Sequence, residues 1–201
     1  MLKQLSGELV GEQVIKKSRF IVLARFCPDR AALAELRKDA EQRWPNARHY
    51  CWAWTSAGTV PADMAMSDDG EPKGTAGMPM LKVLELGGWR QTGAVVIRYF
   101  GGIKLGTGGL ARAYAGTLQQ MLEQAQAQTI PWVPRTNFSL IADFSVQSSV
   151  QHMLQKLSII INETRYSGRA IYQLSMSQEE QLALESELKG LPWQSFVLKE
   201  Q

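Results

Sequence analysis

Hydrophobic and polar positions along the chain predict a run of short elements. Glu8–Ile15 and Ser18–Phe26 read as paired strands around a Lys16-Lys17 turn. Pro28-Asp29 opens a helix with Leu33, Leu36, Ala40 and Trp44 on one face, and Pro45 ends it. His49–Thr55 reads as a strand, Ser67–Gly77 as a loop, Met78–Leu86 as a helix and Gly93–Phe100 as a buried strand. A long helix is expected from about Thr107 to Gln128, with Leu110, Tyr114, Leu118, Met121, Leu122 and Ala125 on its core face. Strands mixed with three helices predict a two-layer α+β domain.

The C-terminal part has a different rhythm. Phe138, Leu140, Ala142 and Phe144 alternate with mostly polar residues, which predicts a half-buried strand. Val146, Val150, Met153, Leu154 and Leu157 follow at helical spacing. Ile159-Ile160-Ile161 begins a β-branched run that turns back at Tyr166-Ser167-Gly168 into Ala170–Met176, a hairpin. Ser177 and Glu180 form a capping box, the helix runs through Lys189, and Trp193–Leu198 closes as a strand. The order β-α-β-β-α-β is the ferredoxin-like, split-βαβ pattern. Ile130-Pro131-Trp132-Val133-Pro134 is stiff and unsuited to a helix or central strand, so the domains are expected at 1–133 and 135–201.

Charge supports that division. Up to Pro134 there are 16 Lys/Arg against 12 Asp/Glu, and from Arg135 onward 6 against 7. The whole chain carries +3, too little to announce a nucleic-acid binder by itself. With 45% hydrophobic residues the composition excludes intrinsic disorder. No apolar stretch approaches the roughly 20 residues of a membrane helix, and the N-terminus lacks a signal core, so a cytoplasmic protein without membrane contact is expected. Cys27 and Cys51 are too few for a disulfide framework or a zinc site, and reduced thiols are the expectation.

Two segments stand out chemically. In Ser67–Gly77 the carboxylates Asp68, Asp69 and Glu71 fall within four residues, followed by Lys73. They suit a hard cation or an acid–base pair, but the spacing is not that of an EF-hand. A polar turn in which the carboxylates brace backbone amides is the favoured reading, with no metal. The second segment, Arg98–Arg112, is a glycine-rich turn between a strand and a helix. Free amides at a helix N-terminus attract anions, and Arg98, Lys104 and Arg112 add phosphate-directed charge. No Gly-Lys-Ser/Thr follows, so this is not a P-loop. Gly106-x-Gly108-x-x-Ala111 fits the loose dinucleotide fingerprint, but the acid-tipped strand beyond it is missing. His49 and Cys51 share a strand face and permit a nucleophile–base pair, although a buried thiol is the commoner outcome. Tyr50, Trp52 and Trp54, on the opposite face, read as core.

Taken together, Lys17–Ile21, Ser67–Leu81 and Arg98–Tyr114 resemble the signature of the IMPACT family, and the C-terminal appendage resembles that of its bacterial branch. The resemblance implies an N-terminal α+β sandwich of the ribosomal-protein-S5 second-domain type. It also implies a C-terminal domain similar to one in elongation factor G. Eukaryotic relatives regulate translation initiation through a protein partner on the ribosome, and no catalytic residues are established for the family. The expectation is therefore a non-enzymatic regulator of translation or stress response, without a cofactor, that binds RNA or the ribosome. Phosphate contacts would come from Lys73, Arg98, Lys104 and Arg112 and from the turn Gly106, Thr107, Gly108 and Gly109. The alternatives are an enzyme acting on a phosphorylated small molecule and a pure protein-interaction module.

Overall fold

The computed structural model describes residues 1–57 and 64–201. The chain divides into two compact units, Met1–Trp132 and Val133–Gln201.

The first unit is built on a sheet of order β2-β3-β6-β4-β5, antiparallel throughout. Its strands are β2 (Leu9–Ile15), β3 (Ser18–Phe26), β4 (His49–Thr55), β5 (Met64–Ser67) and β6 (Thr92–Tyr99). Helix α1 (Arg30–Arg43) packs on one face, where Leu33, Leu36 and Ala40 meet Ile21, Leu23, Val95 and Ile97. Helices α2 (Gly77–Leu86) and α3 (Thr107–Gln124) cover the other, meeting Phe20, Val22, Ala94 and Val96. The unit therefore has three layers, one more than the expected two. The physical reason lies in β6, buried from Thr92 to Arg98: a central strand covered on both faces is apolar at successive positions. A separate two-stranded sheet pairs β1 (Lys3–Leu5) with β7 (Thr129–Pro131). Helix α3 ends at Gln124 and gives way to a 3-10 turn at Gln126–Gln128, short of the continuous helix that its pattern suggests.

The second unit comprises β8 (Thr136–Ala142), α4 (Gln147–Lys156), β9 (Ile160–Tyr166), β10 (Ala170–Met176), α5 (Gln178–Leu188) and β11 (Phe196–Glu200). Its strand order is β11-β8-β10-β9, antiparallel throughout, which is the ferredoxin-like arrangement. The chain is thus α+β with two distinct cores. Phe138, Leu140, Leu174, Leu154 and Leu184 belong to the second. Phe144 leaves the strand for a 3-10 turn, closed by the Val146 amide on the Asp143 carbonyl, and is 53% exposed. The closing strand starts at Phe196, leaving Trp193 outside it and 90% exposed. Ser177 and Glu180 form both bonds of the capping box, and Arg135 holds the Glu180 carboxylate. Among the described residues no helix is long and apolar enough to cross a membrane.

Candidate functional site

Antiparallel pairing brings the start of β4 beside the end of β6, with His49 opposite Arg98. The acidic loop follows β5, and the glycine-rich turn follows β6. Both reach the same end of the sheet, where Glu71 and Pro72 from the first meet Lys104–Thr107 from the second. Between them lies a cleft of about 390 Å³ completed by Arg48, His49, Arg98, Phe100 and Leu110.

One wall is held by a buried polar cluster. Glu71 Oε1 accepts hydrogen bonds from Arg98 Nη1 at 2.6 Å and from the Tyr114 hydroxyl at 2.8 Å. Arg98 shares its strand face with Ala94 and Val96, so its guanidinium runs into the core side of the sheet and needs a buried counter-charge. It lies between the rings of Phe20 and Phe100, at 5.7 and 5.4 Å from their centroids. Burial first, then Cys51 and Glu71, pushes the Tyr114 phenol far up, so it stays protonated and donates.

The other carboxylates are bound by backbone. Asp68 accepts from the amides of Gly74 at 2.7 Å, Ala76 at 2.9 Å and Gly77 at 2.8 Å, which places a charge at the N-terminus of α2. Burial raises its carboxyl, but the three amides outweigh this and hold it below the usual carboxylate range. Asp69 accepts from the Tyr50 amide at 2.7 Å, and its own carbonyl bonds His49 Nδ1 at 2.9 Å. Cys51 donates its thiol to the Asp68 carbonyl, and burial together with the nearby carboxylates pushes it up to about 12. A thiol so protonated is not a nucleophile at neutral pH, and His49 bonds the loop instead of the sulfur. Among the described residues no three His, Cys, Asp or Glu side chains converge as a metal ion requires.

The opposite wall is open. Gly106 precedes α3 at φ +71°, a conformation that favours glycine, and no side chain caps the helix. The first intrahelical bond runs from the Leu110 amide to the Gly106 carbonyl, so the amides of Thr107, Gly108 and Gly109 have no helical acceptor. Gly101 is required by contact: a Cβ there would lie 2.0 Å from the Lys17 carbonyl, against which the turn rests. Among the described residues Arg48, Lys104, Lys73 and Arg112 are exposed and enter no ion pair.

Of the residues singled out from sequence, the structure brings Arg98, Lys104, Gly106, Thr107 and Glu71 into the cleft. Lys73, Gly108, Gly109 and Arg112 do not line it, and Asp68 and Asp69 stand behind it as loop braces. Arg98 is committed to Glu71 and is no free phosphate ligand. Arg48 and Phe100 were missed, and His49, singled out beside Cys51, lines the cleft while bonding the acidic loop. Phe100 had a readable signal, an aromatic at the exit of a buried strand just before a glycine pair. Arg48 had none, because only the β4–β6 pairing puts it there. A larger hollow of about 650 Å³ between α2 and α3 contains Lys3 and Lys82 but neither Arg98 nor Lys104.

The profile of the Impact N-terminal domain matches residues 16–122. The chain is 38% identical over 181 residues to an IMPACT family member of Haemophilus influenzae, covering 90% of this chain and 87% of that protein. It is 36% identical over 165 residues to IMPACT family member YigZ of Escherichia coli, covering 81% and 79%. With IMPACT family member YvyE of Bacillus subtilis the identity is 37% over 173 residues, covering 84% and 76%. A crystal structure described as that of a hypothetical protein superposes with a TM-score of 0.79 at 31% identity, covering 98% of this chain and 95% of that one. With the signature loops and both folds in place, the chain belongs to the IMPACT family.

Proposed function

We propose that this protein is a non-enzymatic regulator of translation or stress response that acts by binding RNA, free or in the ribosome, through the cleft between the two signature loops. The observation that carries this reading is the open wall: uncapped amides at the start of α3 beside Lys104 and Arg48, which have no ion-pair partner among the described residues. Amides and cations of this kind hold phosphate and position a strand without reading its sequence. An acid–base or metal role for Asp68, Asp69 or Glu71 loses support, because backbone amides, a guanidinium and a phenol already engage their oxygens.

Charge reversal tests it. Lys104→Glu combined with Arg48→Glu should weaken RNA binding by about tenfold or more, measured by fluorescence anisotropy across a salt series. The slope of log K against log salt should fall by about 0.7 for each contact removed from a single strand. Binding that ignores salt, or that survives the reversal unchanged, would overturn the reading in favour of a protein-interaction module.

A further inference from the structure

Beyond its charges, the cleft contains an aromatic side chain whose exposure the fold does not explain. Phe100 follows the last residue of β6 and is 52% exposed, although the strand before it is buried from Thr92 to Arg98. The Arg98 guanidinium lies over the ring, 5.4 Å from its centroid, and both side chains line the cleft. Arg98 is itself only 6% exposed, lines the cleft, and has an Nε without a hydrogen-bond partner among the described residues. A buried guanidinium nitrogen left unpaired is costly, and an acceptor brought into the cleft beside it would offset that cost. The uncapped start of α3 and Lys104 line the same cleft.

We infer that the cleft takes one unstacked nucleotide of a single RNA strand, its base against Phe100 and its phosphate at Lys104 and the Thr107 amide that opens α3. The inference rests on the RNA-binding reading and sharpens it. A volume of about 390 Å³ lies within the roughly 300–1,000 Å³ of sites that enclose small groups. A duplex keeps its bases stacked and offers only phosphates and 2′-hydroxyls, so it makes no use of an aromatic platform inside a cleft. A single strand supplies both the π-face and the phosphate. Arg48 lines the same cleft and is exposed, which offers the base edge a polar contact without a demand for one sequence.

The test compares a ten-nucleotide oligouridylate, a 16-base-pair RNA duplex and uridine monophosphate by anisotropy or calorimetry at one salt concentration, using the full chain. The oligouridylate should bind about tenfold or more tightly than either of the others. Phe100→Ala should weaken the oligouridylate about tenfold while leaving the duplex unchanged, and Phe100→Trp should restore it. The ring is half-exposed, so these variants keep the wild-type melting temperature, which is checked in parallel. If the duplex binds as well as the single strand, or Phe100→Ala binds as wild type, the nucleotide pocket is overturned while salt-dependent RNA binding stands. If the mononucleotide binds as tightly as the strand, the ligand is a free nucleotide and the proposal falls. If no RNA binds at all, both this inference and the reading beneath it fall.

Discussion

Asp68 accepts three backbone amides and Glu71 a guanidinium and a phenol, whereas across the same cleft Lys104 has no ion-pair partner among the described residues and α3 begins without a capping side chain. Both loops are rich in polar and small residues, and in the sequence both look equally suited to chemistry. The difference teaches which polar groups belong to the scaffold. A group already bonded inside the chain costs stability when removed and must break a bond to serve a ligand. A group facing open space costs little to remove and is available.

The largest expected effect breaks the scaffold side. Glu71→Ala leaves the Arg98 guanidinium buried without its counter-charge, which should cost about 3–5 kcal/mol. Urea unfolding would show this as a lower midpoint at unchanged slope. Adding Arg98→Met should recover part of the loss, since the uncompensated charge is then gone. A Glu71→Ala variant that loses under about 1 kcal/mol would show that the strut carries no load.

A smaller effect is expected at Asp68. Asp68→Asn keeps the shape but weakens three charge-assisted bonds at the head of α2, costing about 1–2 kcal/mol at pH 7. The carboxyl is held below its ordinary value in the folded chain. Its contribution is therefore fully present above the unfolded value of about 4 and is lost as pH falls through the lower folded value. Wild type should lose stability more steeply than Asp68→Asn on acidification below about pH 4. Parallel acid-unfolding curves would contradict the brace.

The smallest expected effect on stability belongs to the open side. Lys104→Glu should leave the melting temperature within about a degree, as substitutions of unpartnered surface groups do. A melting temperature lowered by several degrees would place Lys104 in the scaffold with Glu71.

Much of the fold was legible because its periodicities are local. The faces of α1 and α3, the Lys16-Lys17 hairpin, and the βαββαβ order all follow from spacing and turn residues. Strand β5 was not, since Met64-Ala65-Met66-Ser67 carries neither period nor β-branched residues. The two paired strands of three residues, β1 and β7, were too short to show alternation. In the site, the glycine-rich turn could be read as open to solvent. The fate of the carboxylates could not, because Glu71 finds Arg98 and Tyr114 27 and 43 positions away. One clue was present: Arg98 stands on the same strand face as Ala94 and Val96, and a charge there demands a buried partner.

The division between scaffold and open wall is tested most directly by measuring melting temperature and oligouridylate affinity together on Asp68→Asn and Lys104→Glu. The account predicts a crossed outcome. Asp68→Asn should melt several degrees lower and bind RNA within about twofold of wild type, while Lys104→Glu should melt as wild type and bind several-fold more weakly. If Asp68→Asn loses RNA affinity without losing stability, or Lys104→Glu loses stability without losing affinity, the assignment of the two loops is contradicted.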